Sequence, residues 1–192
     1  AKRLRLKEMP KPADAARPTR TDLRESPKLS IVLNGPDSFK GRKLGVLVTD
    51  GADIGLVKAL KSAIESEGAM VEFVAPMIGG AEASDGTWIE AKQKIDGGPS
   101  VLYDAIAVIA STNGCEELMK IPPAKDFVSD AFAHCKFIAY SREALPLMER
   151  AGVRPVDLDD GCVRLDASAK ASEFVTMLAK LRFWEREAKL MP

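Results

Sequence analysis

Acyl transfer and thiol chemistry need a nucleophile and a base, and this chain offers few of either. Cys115, Cys135 and Cys162 are its cysteines and His134 is its one histidine. Ser141 follows the apolar run KFIAY, where a strand-to-helix turn could display a nucleophile. Such a turn is relieved by small neighbours, yet Ser141 sits between Tyr140 and Arg142 with no glycine beside it. A serine nucleophile also needs a base, and His134 lies at the opposite end of that strand. A strand of about five residues separates the two by roughly 17 Å, too far for proton transfer. Cys115 precedes Glu116 and Glu117, whose charge disfavours a thiolate unless a helix N-terminus offsets it. The segment TDGADIG, from Thr49 to Gly55, lacks both the G-x-G-x-x-G of dinucleotide sites and the phosphate-loop pattern. Asp50 and Asp53 would repel a phosphate and lack the further acidic cluster of a metal site, so they read as a turn and a helix cap. No catalytic, cofactor-binding or metal-ligating residue is expected; Ser141, Cys115 and Cys135 remain the candidates to inspect.

The elements that position these residues follow from hydrophobic periodicity. LGVLV after Lys43 is a continuous apolar run of the kind buried on both faces of a parallel sheet. Ile54, Val57, Leu60, Ala63 and Ile64 then recur three or four apart, predicting a helix from about Asp53 to Glu67 that stops at Gly68. Val71 to Ala75 is a second strand, and strands joined through a helix imply a right-handed parallel crossover. The Asp85-Gly86 turn within ASDGTWIEAKQKIDGGPS predicts a small antiparallel insertion. Tyr103 to Ala110 and Lys136 to Tyr140 are further strands, and Lys125 to Cys135 is a helix on which His134 serves as a C-terminal residue. Ala144 to Ala151 reads as a short helix and Val163 to Leu165 as a short strand. Phe174, Met177, Leu178, Leu181 and Trp184 predict a last helix across SEFVTMLAKLRFWERE. Trp88, Trp184 and Phe183 read either as packing residues or as an apolar surface for a partner.

Residues 1–40 are rich in proline, arginine and lysine and bury too little apolar surface to fold alone, so they read as an extended basic arm before a domain spanning 41–192. The run Leu29 to Leu33 could pair or dock within that arm. Ala1 to Lys43 carries 12 Lys and Arg against 5 Asp and Glu, leaving 16 against 23 in the remainder. With prolines scattered through it and no interleaved aromatics, the arm fits docking onto an acidic surface of its own assembly rather than nucleic acid. No run approaches the ~20 apolar residues of a membrane span, and AKRLRLKEMP has no signal-peptide core, so a soluble chain is expected. The odd, widely spaced cysteines suggest neither a disulfide framework nor a zinc site. The chain begins without Met, which fits a segment of a longer protein as well as it fits processing.

ARPTRTDL, SFKGRKLGVLVTDGAD, ASDGTWIEA, DGGPSVLYDA, KDFVSDAFAHCKFIAY and LRFWE, in that order, strongly resemble the linker and C-terminal domain of large-subunit haem catalases. The resemblance covers essentially the whole chain. It implies an α/β, flavodoxin-like three-layer sandwich with a mainly parallel sheet, related to the DJ-1/PfpI and class I glutamine amidotransferase group. It also implies that disproportionation of hydrogen peroxide and its haem belong to a preceding core of a tetramer, whose core and other subunits would be partners of this domain. The catalase ligand pattern Arg-x-x-x-Tyr is missing: Lys136 stands four residues before Tyr140 and Pro99 four before Tyr103. Against the DJ-1/PfpI pattern, the elbow cysteine falls at Ser141, the partner glutamate at about Asp53 or Ile54, and no elbow histidine follows. The expectation is a non-catalytic accessory domain, without a cofactor of its own, that supports tetramer stability and holds unfolding client proteins. Its alternative is a residual DJ-1-like enzyme or peroxide-reactive thiol domain using Ser141, Cys115 or Cys135. On this resemblance, any targeting signal lies upstream of the segment.

Overall fold

A computed structural model describes residues 7–190; the first six residues of the expected arm and the last two of the expected domain lie outside the described residues. The chain divides into two compact units between Asn34 and Gly35. In the first, Pro27–Leu29 form a single 3-10 turn, and the Asn34 side chain donates to the carbonyls of Pro27 (2.7 Å) and Ser30 (2.8 Å). Leu29, Ile31, Val32 and Leu33 are exposed there, in no strand.

The second unit is built on a six-stranded sheet in which every pairing is parallel. Its strands are β1 (Lys43–Val48), β2 (Met70–Ala75), β5 (Gln93–Lys94), β6 (Ala105–Ile109), β7 (Ile138–Tyr140) and β8 (Cys162–Arg164), ordered β5-β2-β1-β6-β7-β8. Strand alternation sends Leu44, Val46 and Val48 to one face and Leu47 to the other. The first face is covered by α1 (Ile54–Ser66), α5 (Ser168–Met177) and the antiparallel hairpin of β3 (Gly79–Glu82) and β4 (Trp88–Ala91). The second is covered by α2 (Thr112–Leu118), α3 (Pro122–Ala133) and α4 (Leu145–Arg150). This is the flavodoxin-like three-layer sandwich, with the expected antiparallel insertion in place.

Local chemistry accounts for the helix ends. Asp53 caps α1, its carboxylate accepting from Gly55 N–H (2.7 Å) and Leu56 N–H (3.1 Å). Val57, Leu60 and Ile64 bury the inner face of α1. Pro122 and Pro123 open α3, where an amide proton would have no partner, and His134 closes it. One position on β1 has no room for a side chain: a Cβ on Gly45 would lie 2.2 Å from the ring of Tyr103, which fills that place in the second layer.

One helix escapes the sequence and one expectation needs correction. The segment after Ser111 is a helix, α2, whose seven residues, with only Cys115 and Leu118 buried, give too little periodicity to detect. The last helix does not run through Glu187. It ends at Met177, passes into a 3-10 turn at Leu178–Lys180, and stops where Leu181 takes φ +66°. Tertiary contacts override helical spacing here. Phe183 N–H donates to the Cys135 carbonyl at 2.8 Å, and its ring meets Phe137 edge-on. Arg186, within the 3-10 turn Trp184–Arg186 that leads into α6 (Glu187–Leu190), is fully buried.

At the amino ends of the strands, Lys136 is 3% exposed, and its ammonium donates to the carbonyls of Ser100 and Tyr103, both at 2.6 Å. Burial, then the nearby charge of Arg182, presses its pKa down to about 8. Below pH 8 Lys136 is charged in both folded and unfolded chains; from there to its unfolded value the unfolded chain holds the proton more tightly. Stability contributed at this site therefore rises with pH across that window, by at most about 3 kcal/mol. Denaturant unfolding of the wild type should gain on that of Lys136→Met between pH 8 and pH 10. A gap that stays flat or narrows would contradict the assignment.

Candidate functional site

Ligands in open α/β sheets bind beyond the carboxyl ends of the strands, where the connections on either side of a strand leave in opposite directions. In this sheet that point lies between β1 and β6, and a cleft of about 730 Å³ opens there. Thr49, Asp50 and Gly51 line it from the end of β1, Pro76 and Met77 from beyond β2, and Ser111 from beyond β6.

Most polar groups at its base are already engaged. The Asp50 carboxylate accepts from Glu82 N–H at 2.9 Å, and Gly51 N–H donates to the Glu82 carbonyl at 2.7 Å, fastening the first turn to the hairpin. Ser111 donates its hydroxyl to the Asp50 carbonyl (2.6 Å) and accepts from Gly114 N–H (3.0 Å), which caps α2. Thr49 Oγ1 accepts from Ser111 N–H at 3.1 Å. Gly114 must be glycine for a plain reason: a Cβ there would lie 2.0 Å from Thr49 Oγ1.

Ser141, the elbow candidate, is 1% exposed at the exit of β7. Its hydroxyl accepts from Ala110 N–H and donates to the Ala110 carbonyl, both at 3.1 Å, so it ties β7 to β6. Its backbone is ordinary extended chain, φ −71° and ψ 156°, without the strain of a nucleophile turn. A polar hollow of about 600 Å³ lies beside it, lined by Asp53, Arg142 and Glu143 and by Arg164, which forks onto Asp166 at 2.6 and 2.8 Å. The sequence places Ser141 correctly at a strand end; its burial is legible only in three dimensions.

The thiols are no better disposed. Cys115 and Cys135 are buried, and burial pushes both thiols up, with Glu116 adding to the effect at Cys115. Burial pushes Cys162 up to about 12 despite the neighbouring Arg186 charge. At pH 8 none should react with an aromatic disulfide reagent in the folded chain on the timescale on which all three react in denaturant. Prompt labelling of one native thiol would single out a reactive cysteine. Among the described residues, no three His, Cys, Asp or Glu side chains come together as a metal site, and no helix is long and apolar enough to cross a membrane.

The phenols do not suit haem ligation either. Tyr103 OH donates to Glu72 at 2.9 Å, and burial together with that bond drives its pKa strongly upward. Tyr140 is 5% exposed inside β7, and its pKa is also raised, first by burial. Neither offers an accessible phenolate.

Fold and site together define a flavodoxin-like α/β domain whose strand-end polar groups are largely bonded to one another. The structure resembles that of oxidized Toxoplasma gondii DJ-1, with a TM-score of 0.62 over 78% of this chain and 96% of that one; at 17% identity the likeness is one of fold. Residues 40–188 match the family of the C-terminal domain found in long catalases, and the chain belongs to that family. It is 53% identical over 184 residues to Catalase C of Rhizobium meliloti (strain 1021), covering 96% of this chain and 26% of that protein. It is 31% identical over 181 residues to Catalase HPII of Mycobacterium avium, covering 87% of this chain and 26% of that protein. The chain thus spans about a quarter of the length of these relatives.

Proposed function

We propose that this chain is the accessory, non-catalytic C-terminal domain of a large-subunit catalase, and that haem and peroxide disproportionation reside in a separate core. The observation that carries the reading is the state of Ser141: it occupies the place of a nucleophile, yet is buried and spends its hydroxyl on both backbone groups of Ala110. The domain's work is then mechanical, stabilising the tetramer through contacts with the core and neighbouring subunits. Deleting it from the parent enzyme should leave turnover per haem near the wild-type value while hastening thermal inactivation and dissociation. Unchanged inactivation would refute the assembly role, and turnover lost from an intact haem core would refute the accessory one.

Exposed apolar side chains support a second activity, the holding of unfolding proteins. Met77, Ile78 and Trp88 of the hairpin region are 68%, 86% and 58% exposed. An equimolar amount of the domain should slow the heat aggregation of an unrelated enzyme. Replacing Met77, Ile78 and Trp88 by serine should remove that effect, and no protection at several-fold excess would dispose of the activity.

A further inference from the structure

We propose that the cleft between β1 and β6 binds a flat organic cation, an amidinium or protonated amine carried on an aromatic ring. This goes beyond the accessory role and does not depend on it. The volume of about 730 Å³ falls within the range of small-molecule sites. Pro76, Met77, Ala81 and Ile121 supply apolar walls on which a ring can lie, and Gly51 and Gly80 contribute backbone alone.

Charge then selects among flat molecules. The lining includes the carboxylates of Asp50 and Glu117 and neither lysine nor arginine. Glu117 is shared with Lys120 at 2.7 Å, whereas Asp50 has no cationic partner among the described residues. Asp50 Oδ1 is held by Glu82 N–H, which fixes the carboxylate at the cleft and leaves its other oxygen to accept from a ligand. The hydroxyl of Thr112 and the amide of Asn113 stand at the lip. A phosphate or carboxylate would meet repulsion from Asp50, and an uncharged ring would forgo a charge-assisted hydrogen bond.

The test titrates the 192-residue chain with benzamidine, its uncharged isostere benzamide, and benzoate, following the amide resonances of Gly51, Ala81 and Gly114. Benzamidine should saturate these shifts with a dissociation constant on the order of 1 mM. Benzamide should bind about fivefold more weakly, the modest gain expected from an exposed carboxylate, and benzoate should leave the resonances in place. Asp50→Asn keeps the oxygen that accepts from Glu82 N–H and should bring benzamidine down to the level of benzamide. Asn113→Trp, at an exposed lip position, should exclude both rings without altering the melting temperature. The absence of a saturable shift at those amides would overturn the proposal, as would equal affinity of the wild type for benzamidine and benzamide.

Discussion

Arg186→Met should lower the melting temperature of the folded domain by about 10 °C. Arg186 is fully buried; its guanidinium forks onto Asp159 through two 2.8 Å bonds and donates to the carbonyls of Lys136 (2.7 Å) and Phe132 (3.3 Å). It also lies 4.2 Å from the centre of the Phe132 ring. Removing it strands a carboxylate that is 5% exposed and leaves two carbonyls short of a donor. Breaking one side of a buried pair costs about 3 to 5 kcal/mol, and in a domain of this size each kcal/mol is worth about 2 to 4 °C. Arg186→Lys should recover little, because an ammonium cannot reproduce the fork.

The pH dependence separates this mechanism from simple loss of packing. In the wild type, burial pushes Asp159 up, but hydrogen bonds from Arg186, its charge and Gly161 N–H outweigh burial and hold the carboxyl below its usual value. The stability it contributes is thus present above the unfolded carboxyl pKa and lost as pH falls through the folded one. Without Arg186 the same carboxyl, buried and unpaired, prefers its proton, so the variant improves as pH falls. Denaturant curves at neutral pH and near the unfolded carboxyl value should therefore show the gap narrowing in acid. A gap constant with pH would assign the loss to packing alone.

Gly45→Ala comes second in size, although it adds one methyl group. The new Cβ would stand 2.2 to 2.7 Å from three ring atoms of Tyr103. The ring has no easy escape, being held by its bond to Glu72 and by edge contact with Phe127 at 6.1 Å between centroids. Overpacking of this kind costs about 3 kcal/mol. The diagnostic is a double-mutant cycle. In a Tyr103→Ala background, Gly45→Ala should cost little, and additive effects would show that the strain lies elsewhere.

What the sequence revealed depended on the range of the interaction. β1, α1 and β2 were legible because their periodicity, the Asp53 cap and the Gly68 stop lie close together in the chain. Ser141 could be assigned to a strand end for the same reason, whereas the short helix that carries Cys115 could not be read. The inaccessibility of both was hidden, because it depends on Ala110, 31 residues from Ser141, and on packing over the second face. The cleft was hidden likewise. Each of its turns looked empty of chemistry when taken singly, and only the strand order brings Asp50, Met77 and Asn113 around one space.

The positive φ of Leu181 marks a conflict within the last segment of the chain. Residues from Phe174 to Trp184 have the spacing of one continuous helix, yet the native fold breaks that helix at Leu181 so that Arg186 can reach Asp159. Local preference and final destination disagree there, which makes the segment locally frustrated. Its native form depends on the Asp159 turn and the end of α3 being in place to receive Arg186, so contacts distant in the chain set this segment's structure against its own helical preference. Phe174 and Leu178 share one core cluster with Leu44, Val46 and Val48 of β1, so loosening the segment would uncover the first face of the sheet together with Cys135.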